Sequence, residues 1–310
     1  MQLDIVILFF LLGVGARLIK ANIDFPKGLY QGLTLFLMIA IGLKGGIALA
    51  EHGSSSLIPQ SFAVIGLGIV LTLLAFPVLL YVGKLTRKDA ASIAAHYGSV
   101  SVGTYAVAVA LLDSQNIAYE AYFPLFVVLL EMPAIMVGLL LAKEAGKKVD
   151  TAKLLHEVFC NQGIVLMSGA LLIGYVAAEQ AHTITPLFKT LFHGALALFL
   201  LEMGMVAADR LKHMKSSGQF ILSFGIAMPL LGGAMGCATG HMIGLSHGGS
   251  ILLGVLGASA SYIAVPAAMR VAIPDANHGM SITASLGVTF PFNVMVGIPT
   301  YIAFSQWMAA

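Results

Sequence analysis

Ten apolar stretches alternate with short polar intervals along the chain, and each is about as long as a membrane-spanning helix. The stretches lie near residues 3–21, 28–50, 60–83, 89–112, 121–142, 156–178, 186–208, 218–244, 248–273 and 279–308. A helix needs about 20 apolar residues to cross a bilayer, so the pattern predicts an all-α polytopic membrane protein with ten transmembrane helices.

Composition supports this interpretation. Of the 310 residues, 59% are hydrophobic and only 10% are charged, whereas soluble domains carry about 25% charged residues. The net charge is +2 and no basic stripe is present, so we expect no nucleic-acid partner. Cys160 and Cys237 show no metal-type spacing, and we expect both to be packing residues.

Positive charge is distributed unevenly and predicts the orientation. Fourteen of the 16 Lys and Arg residues lie around alternate connections, and only Lys44 and Lys189 lie within or beside predicted spans. By the positive-inside rule those connections are cytoplasmic, which predicts a plasma (inner) membrane protein with both termini external. The 14 residues are Arg17, Lys20, Lys27, Lys84, Arg87, Lys88, Lys143, Lys147, Lys148, Lys153, Arg210, Lys212, Lys215 and Arg270.

The two halves of the chain resemble each other. Gly98 and Gly257 lie 159 residues apart, and the same offset relates Met136-Val137-Gly138 to Met295-Val296-Gly297. An offset of 157 matches Thr104-Tyr105 with Ser261-Tyr262, so a small insertion would separate the two registers. Because each half has an odd number of spans, we expect a five-plus-five inverted repeat. Its parts are residues 1–142, a short cytoplasmic linker at 143–155, and residues 156–310.

Two polar stretches interrupt apolar helices at repeat-related positions. One begins at Gly98 and the other at Gly257, and both are rich in hydroxyls and small residues. A bent or broken helix exposes backbone N–H groups, which attract anions, and hydroxyls can donate or accept hydrogen bonds. Neither stretch contains Arg or Lys, so a compact, weakly charged anion fits best, although the same residues could simply pack helices. We expect the two stretches to meet at mid-membrane and form one anion site, which comprises Gly98, Ser99, Ser101, Thr104, Ser259, Ala260, Ser261 and Tyr262.

The last apolar stretch carries a polar stripe with a spacing of four residues. Oxygen donors without thiols suit a hard cation such as sodium, and Pro291 should free backbone carbonyls nearby. A hydrogen-bonded packing seam is the alternative. The stripe consists of Ser281, Ser285, Thr289 and Asn293. The predicted sodium site comprises Ser101, Glu131, Ser285, Thr289 and Asn293.

Carboxylates deep inside spans are functional candidates by default. Glu131 precedes Met132-Pro133 in the fifth span, where cation binding and a structural hydrogen bond are equally good interpretations. Glu202, in the seventh span, is repeat-related to the neighbourhood of Lys44, and we expect the two to pair. Asp113, Asp275 and the scattered histidines, His96 among them, are expected to be solvated or interfacial.

At these residues the chain resembles the sodium-dependent bicarbonate transporter family first recognised in cyanobacterial carbon-concentrating systems. The resemblance covers nearly the whole chain and is carried by residues 42–46, 96–101, 201–204, 258–270 and 284–293. It implies a gate domain of spans 1, 2, 6 and 7 and a core domain of spans 3–5 and 8–10. It also implies a homotrimer and a cytoplasmic partner of the PII-like signalling family. The interval 143–153 is much shorter than the central loop of the cyanobacterial members, which weighs against that partner.

The sequence therefore predicts a sodium-coupled bicarbonate symporter, with the sodium ion as coupling ion and no other cofactor. A sodium-coupled carrier of another small monoanion on the same scaffold is the alternative. An intramembrane enzyme is disfavoured because the sequence shows no activated nucleophile or metal-ligand set.

The charge distribution generates a topological prediction. In a background without Cys160 and Cys237, single cysteines at 84–89 and 143–153 should react with impermeant thiol reagents only from the cytoplasmic side. Cysteines at 54–56, at 115–120 and at Ala309 should react only from outside. Opposite labelling of either set would contradict the orientation and the inverted repeat together.

Overall fold

The computed structural model describes residues 4–53, 56–143, 156, 159–212 and 218–309, and these residues contain helices and short connections but no β-strand. Wider π-helical segments occur at three places. Val78–Val82 continues the helix that ends at Pro77, and Thr283–Thr289 and Asn293–Gly297 both lie within the last apolar stretch. The helices are α1 Ile5–Leu18, α2 Lys27–His52, α3 Leu57–Pro77, α4 Arg87–Gly98, α5 Val102–Ser114, α6 Pro124–Ala142, α7 Gln162–Val176, α8 Ala178–Ala181, α9 Thr185–Lys212, α10 Gly218–Met242, α11 His247–Ala258, α12 Ala264–Ala272, α13 His278–Ile282, α14 Phe290–Phe292 and α15 Ile298–Ala309.

Seven helical segments of the described chain are long and apolar enough to cross a membrane, which confirms a helical multi-pass protein. Three further apolar helices, α1, α7 and α11, have only 14, 15 and 12 residues. At 1.5 Å per residue these reach about 18–23 Å, less than the hydrocarbon core. The count of ten spans therefore stays a prediction. The seven segments are Lys27–His52, Leu57–Val82, Arg87–Ser114, Pro124–Ala142, Thr185–Leu211, Gly218–Met242 and His278–Met308.

Two of the predicted spans are broken near their middle. The backbone is extended at Ser99 and Ser101 between α4 and α5, and at Ser259 between α11 and α12. Serine favours such breaks because its hydroxyl competes with the helix for nearby backbone groups. Ser101 does so directly, since its side chain accepts a hydrogen bond from Thr104 N and caps α5.

In each of two reciprocal pairs a long helix packs against a short one, α9 against α1 and α2 against α7. Each pair crosses at glycines, where the backbones touch. A Cβ atom at Gly13 of α1 would overlap Leu201 O, and one at Gly174 of α7 would overlap Leu43 O. Close backbone contact replaces the hydrophobic driving force that lipid cannot supply between helices.

The broken helices cross their neighbours in the same way. A Cβ atom at Gly98 would overlap Thr72 Oγ1, and one at Gly257 of α11 would lie 2.5 Å from Gly232 O of α10. The small residues at which each break begins are therefore required by packing.

The expected pair of Lys44 and Glu202 is wrong. Tyr30 stacks on Phe199 with ring centroids 5.8 Å apart, and Phe36 contacts Phe188 at 5.2 Å, so α2 and α9 run antiparallel. Lys44 lies about 20 Å beyond Tyr30 along α2, in the direction away from Glu202. Because α2 and α9 run in opposite directions, positions that are equivalent in the two repeats lie at opposite ends of the helix pair. Lys44 donates instead to the Tyr119 hydroxyl at 3.1 Å.

The α2–α7 contact can be tested with a matched pair of glycines on α7. Gly174→Ala should lower the unfolding temperature in detergent by a few degrees, because overpacking against backbone costs about 1–3 kcal/mol. Gly169→Ala is the control, since a Cβ atom there would meet no heavy atom within 4 Å, and the better helix propensity of alanine should leave stability equal or higher. Equal unfolding temperatures for the two variants would contradict the crossing.

Candidate functional site

The two broken stretches meet directly inside the protein. Ser101 N donates to Ser259 Oγ at 3.0 Å, which joins the first break to the second. Ser261 N donates to His96 O at 2.9 Å, and His96 Nδ1 donates to Ser261 O at 2.6 Å. The structure therefore brings the hydroxyl-bearing segments together, as their repeat-related positions suggested.

Helix termini of both signs converge at this crossing. The amino ends of α5 and α12 follow the breaks, and the carboxyl ends of α4 and α11 precede them. Ser101 Oγ accepts from Thr104 N at 3.1 Å and from Thr104 Oγ1 at 2.9 Å, while Val265 N donates to Ser261 Oγ at 3.3 Å. Serine hydroxyls thus accept hydrogen bonds from first-turn backbone N–H groups of both second half-helices, where the helix dipole is positive.

Two hydroxyls are buried at the crossing, and one of them has no protein partner among the described residues. Ser99 Oγ, on a residue 1% exposed, makes no hydrogen bond, whereas the hydroxyl of Tyr262, a residue 8% exposed, faces the Ser101 side chain. The Tyr262 hydroxyl lies against Gly103, where any side chain would collide with it. An unsatisfied buried hydroxyl costs about 1–3 kcal/mol. A ligand oxygen bound at the crossing would remove that cost.

Gly98 and Ala260 contribute backbone and shape rather than side-chain chemistry. Gly98 packs against α3, and Ala260 is 2% exposed in the second break. All eight residues of the predicted anion site therefore belong to the two breaks or to the helix turns beside them.

The polar stripe is hydrogen-bonded within the protein. Ser281 contacts Ser92 at 3.3 Å, Ser285 donates to Ser281 O at 3.0 Å, and Thr289 donates to Gly225 O at 2.8 Å. These contacts are those of a packing seam, the alternative interpretation of the stripe.

The carboxyl-terminal end of the stripe reaches the crossing. Asn293 Nδ2 donates to Ala258 O, the last residue of α11, at 2.8 Å, and Asn293 Oδ1 accepts from the Tyr301 hydroxyl at 3.0 Å. Two π-helical segments surround Pro291, as expected where a proline removes a backbone donor.

Glu131 lies in a different environment from the stripe. It is 2% exposed, and its Oε2 has no hydrogen-bond partner in the described chain. A Cβ atom built on Gly163, in the first turn of α7, would lie 3.8 Å from Glu131 Oε1 and 3.4 Å from Asn161 Oδ1. The two oxygens therefore face the same position. Asn161 Nδ2 also donates to Ala264 O, the first residue of α12, at 3.3 Å. The structure thus groups Glu131 with Asn161 and the second broken helix.

Sequence reasoning missed Asn161 and undervalued His96. An asparagine just before an apolar run is a helix-capping signal, and Asn161 does cap α7, but only the packing of α6 against α7 shows what lies beside it. His96 was expected to be interfacial and is instead fully buried as a bridge between the breaks. Asp113 and Asp275 are exposed as expected; they bond to Tyr119 and Lys88.

Comparison with curated proteins gave no match. Residues 5–306 match the family described as the Na⁺-dependent bicarbonate transporter superfamily, which is nearly the whole chain and includes both breaks. The chain belongs to the Na⁺-dependent bicarbonate transporter superfamily.

Proposed function

We propose that this protein is a sodium-coupled symporter that moves bicarbonate into the cell by alternating access. Family membership supports the two solutes. The observation that carries the proposal is the buried crossing of two broken helices, at which Ser99 Oγ has no hydrogen-bond partner in the described part of the chain.

Bicarbonate suits the chemistry of this crossing. It is compact, carries one negative charge, and offers one hydroxyl donor beside its acceptor oxygens. The amino ends of α5 and α12 supply partial positive charge without a full cation. Ser99 and Tyr262 can each donate to an anion oxygen or accept from the bicarbonate hydroxyl. The absence of Arg and Lys from both breaks keeps the binding weak enough for release.

For the cation we assign Glu131 the principal role among the residues predicted for sodium. Its unpartnered carboxylate oxygen and Asn161 Oδ1 are hard oxygen donors, the type that sodium prefers. Ser285 and Thr289 donate their hydroxyl protons to backbone carbonyls, and Asn293 Oδ1 already accepts from the Tyr301 hydroxyl, so the stripe residues are engaged in holding the last span. Ser101 lies at the crossing and could contact both solutes.

The helix packing supports a division into gate and core within an inverted repeat. The gate consists of α1, α2, α7 and α9, whose pairs α1–α9 and α2–α7 are equivalent under exchange of the two halves. The core contains both broken helices and the π-helical last span. Movement of the core relative to the gate would expose the crossing to each side in turn.

The remaining proposals follow from the family resemblance and the charge pattern. They are a homotrimer in the inner membrane with both termini external; the short interval 143–153 weighs against the PII-like cytoplasmic partner that the resemblance implies. Most of the interval 143–153 lies outside the described residues.

Reconstituted vesicles test the proposal most directly. With an inward sodium gradient, the protein should accumulate labelled bicarbonate, and replacing sodium with potassium or choline should abolish accumulation. Unlabelled formate or nitrate in excess should compete weakly. Sodium-dependent uptake of one of these anions in preference to bicarbonate would favour the alternative carrier, and uptake indifferent to sodium would reject coupling.

The unpartnered hydroxyl of Ser99 gives the cleanest test of the anion site. Ser99→Ala should raise the half-saturating bicarbonate concentration about ten- to a hundredfold, because a hydrogen bond to a charged ligand contributes about 1.5–3 kcal/mol. Stability should not fall, since no protein partner is lost. Ser250→Ala is the matched control, because Ser250 Oγ on α11 is also buried and unpartnered, and its uptake kinetics should be unchanged.

Ser101→Ala and Ser259→Ala should weaken bicarbonate binding as well. Ser101→Ala should also lower the unfolding temperature, since the cap of α5 is lost. Normal bicarbonate affinity in Ser99→Ala, Ser101→Ala and Ser259→Ala together would rule out the crossing as the binding site.

Glu131 is expected to set the sodium dependence. Glu131→Gln should raise the half-saturating sodium concentration at least tenfold, because the carboxylate charge is lost, with a smaller effect on bicarbonate saturation. Glu202→Gln is the control, as Glu202 also carries an unpartnered Oε2 but lies on α9. Asn293→Ala tests separately whether the polar stripe of the last span contributes to the sodium dependence. Unchanged sodium dependence in both Glu131→Gln and Asn293→Ala would remove both candidate cation sites.

A further inference from the structure

A cavity of about 520 Å³ lies between α2, α5, α9 and the α5–α6 connection. Its inner end reaches Tyr105, whose amide donates to Ser101 O, so it begins one helical turn from the crossing. Its outer end reaches Asp113 at the last turn of α5. The charge pattern places this end of α5 on the external side. The cavity therefore extends from the outside toward the proposed anion site.

The two basic residues that depart from the charge pattern both line this cavity. They are Lys44 and Lys189, the only ones of the 16 Lys and Arg that do not belong to the predicted cytoplasmic set. Lys44 is exposed although its neighbours Leu43 and Gly45 are buried, so its side chain leaves α2 toward the cavity. A lysine within an apolar span is costly unless it faces water, protein or a counter-ion.

Lys44 is held by a short hydrogen-bonded chain across the cavity wall. Its Nζ donates to the Tyr119 hydroxyl at 3.1 Å and lies 5.5 Å from the centre of the Tyr119 ring. The same hydroxyl donates to Asp113 Oδ1 at 3.0 Å. Burial, and secondarily the Asp113 carboxylate, raises the pKa of Tyr119, so the hydroxyl stays protonated and can make both bonds. A carboxylate thus reaches the lysine only through a neutral hydroxyl.

This arrangement leaves the positive charge of Lys44 incompletely neutralised. A direct Lys–Asp ion pair would cancel the local field, whereas a tyrosine placed between them separates the two charges. The cavity also carries Lys189 and His193, and Asp113 is the only carboxylate among the described residues that line it. Its field therefore favours anions, and a low-dielectric wall focuses that field.

We propose that this cavity is an external entry site at which Lys44 binds a small monovalent anion before the anion reaches the helix crossing. The inference rests on the proposed function for the direction of transport. The Tyr119–Asp113 pair competes with the anion for Lys44 and so limits how tightly the entry site holds it. When an anion displaces the Tyr119 hydroxyl from Lys44, the Tyr119–Asp113 pair stays beside the lysine. The pair can then bind Lys44 again, which releases the anion.

Kinetics of four variants test the entry site. Lys44→Gln should raise the half-saturating bicarbonate concentration about tenfold with maximal rate and sodium dependence unchanged, because recruitment is lost and the crossing is intact. Asp113→Asn and Tyr119→Phe should lower it severalfold, since each frees Lys44. Lys27→Gln is the control, because it removes the same charge from the other end of α2.

Lys44→Gln is expected to raise the half-saturating bicarbonate concentration, and Asp113→Asn and Tyr119→Phe to lower it. These opposite changes distinguish anion recruitment from a purely structural role. If Lys44, Tyr119 and Asp113 only held the helices together, all three variants would change uptake in the same direction. That result, or an unchanged half-saturating concentration in Lys44→Gln, would overturn the proposal.

A second measurement does not depend on transport. Ala121 lines the cavity, and Ala121→Cys in a Cys160→Ser background can be titrated with anionic and cationic methanethiosulfonates. Lys44→Gln should lower the anionic-to-cationic rate ratio about tenfold, whereas Lys27→Gln should not change it. An unchanged ratio rejects the entry site even if uptake is normal. Conversely, the predicted ratio change in a protein that does not transport bicarbonate would reject the proposed function and retain the anion site.

Discussion

Backbone groups freed in the middle of a membrane helix must find partners within the protein, because lipid offers none. This protein frees such groups twice, at Ser99–Ser101 and at residues 259–263, and each break supplies partners for the other. Ser261 exchanges two hydrogen bonds with His96, and Ser101 N donates to Ser259 Oγ. Neither half-helix pair would be stable alone in lipid. The two halves of the chain are therefore interdependent, and a polar site arises where they satisfy one another.

Small residues make that mutual satisfaction possible. The breaks can meet only if their helices approach neighbours at backbone distance, which Gly98 against α3 and Gly257 against α10 allow. Helices α1 and α7 use the same device at Gly13 and Gly174. These backbone contacts leave no room for an added methyl group. The alternating access that we propose would move such closely packed helices together as bodies.

Neutral polar groups and full charges lie in different parts of this structure. The crossing offers hydroxyls and helix ends but no full charge, and the one buried carboxylate of α6, Glu131, lies against the first turn of α7. Full positive charges lie at Lys44 and Lys189, which line the cavity that begins one helical turn from the crossing. In the transport cycle that we propose, an anion would move from this charged cavity to the neutral crossing. Such an arrangement would favour capture without a deep energy minimum at the crossing.

Much of this could be read from the order of residues alone. Apolar length predicted a helical multi-pass protein, and serine- and glycine-rich interruptions predicted broken helices, because lipid imposes strict local rules on length and backbone polarity. The repeat-related positions of the breaks also predicted that they meet. Pairing among side chains followed no such local rule. Lys44 and Glu202 are repeat-related, yet the antiparallel packing of α2 and α9 places them at opposite ends. Glu131 and Asn161 come together only through the packing of α6 on α7. The periodic stripe of the last span became a hydrogen-bonded seam because α4, α10 and α11 supply partners for it. Sequence by itself determined that the chain is a helical multi-pass protein and where its helices break, since those depend on each segment's own contact with lipid. Which polar groups stay unpaired, and hence where solutes can bind, was decided by tertiary structure, because a partner's availability depends on neighbours distant in the chain.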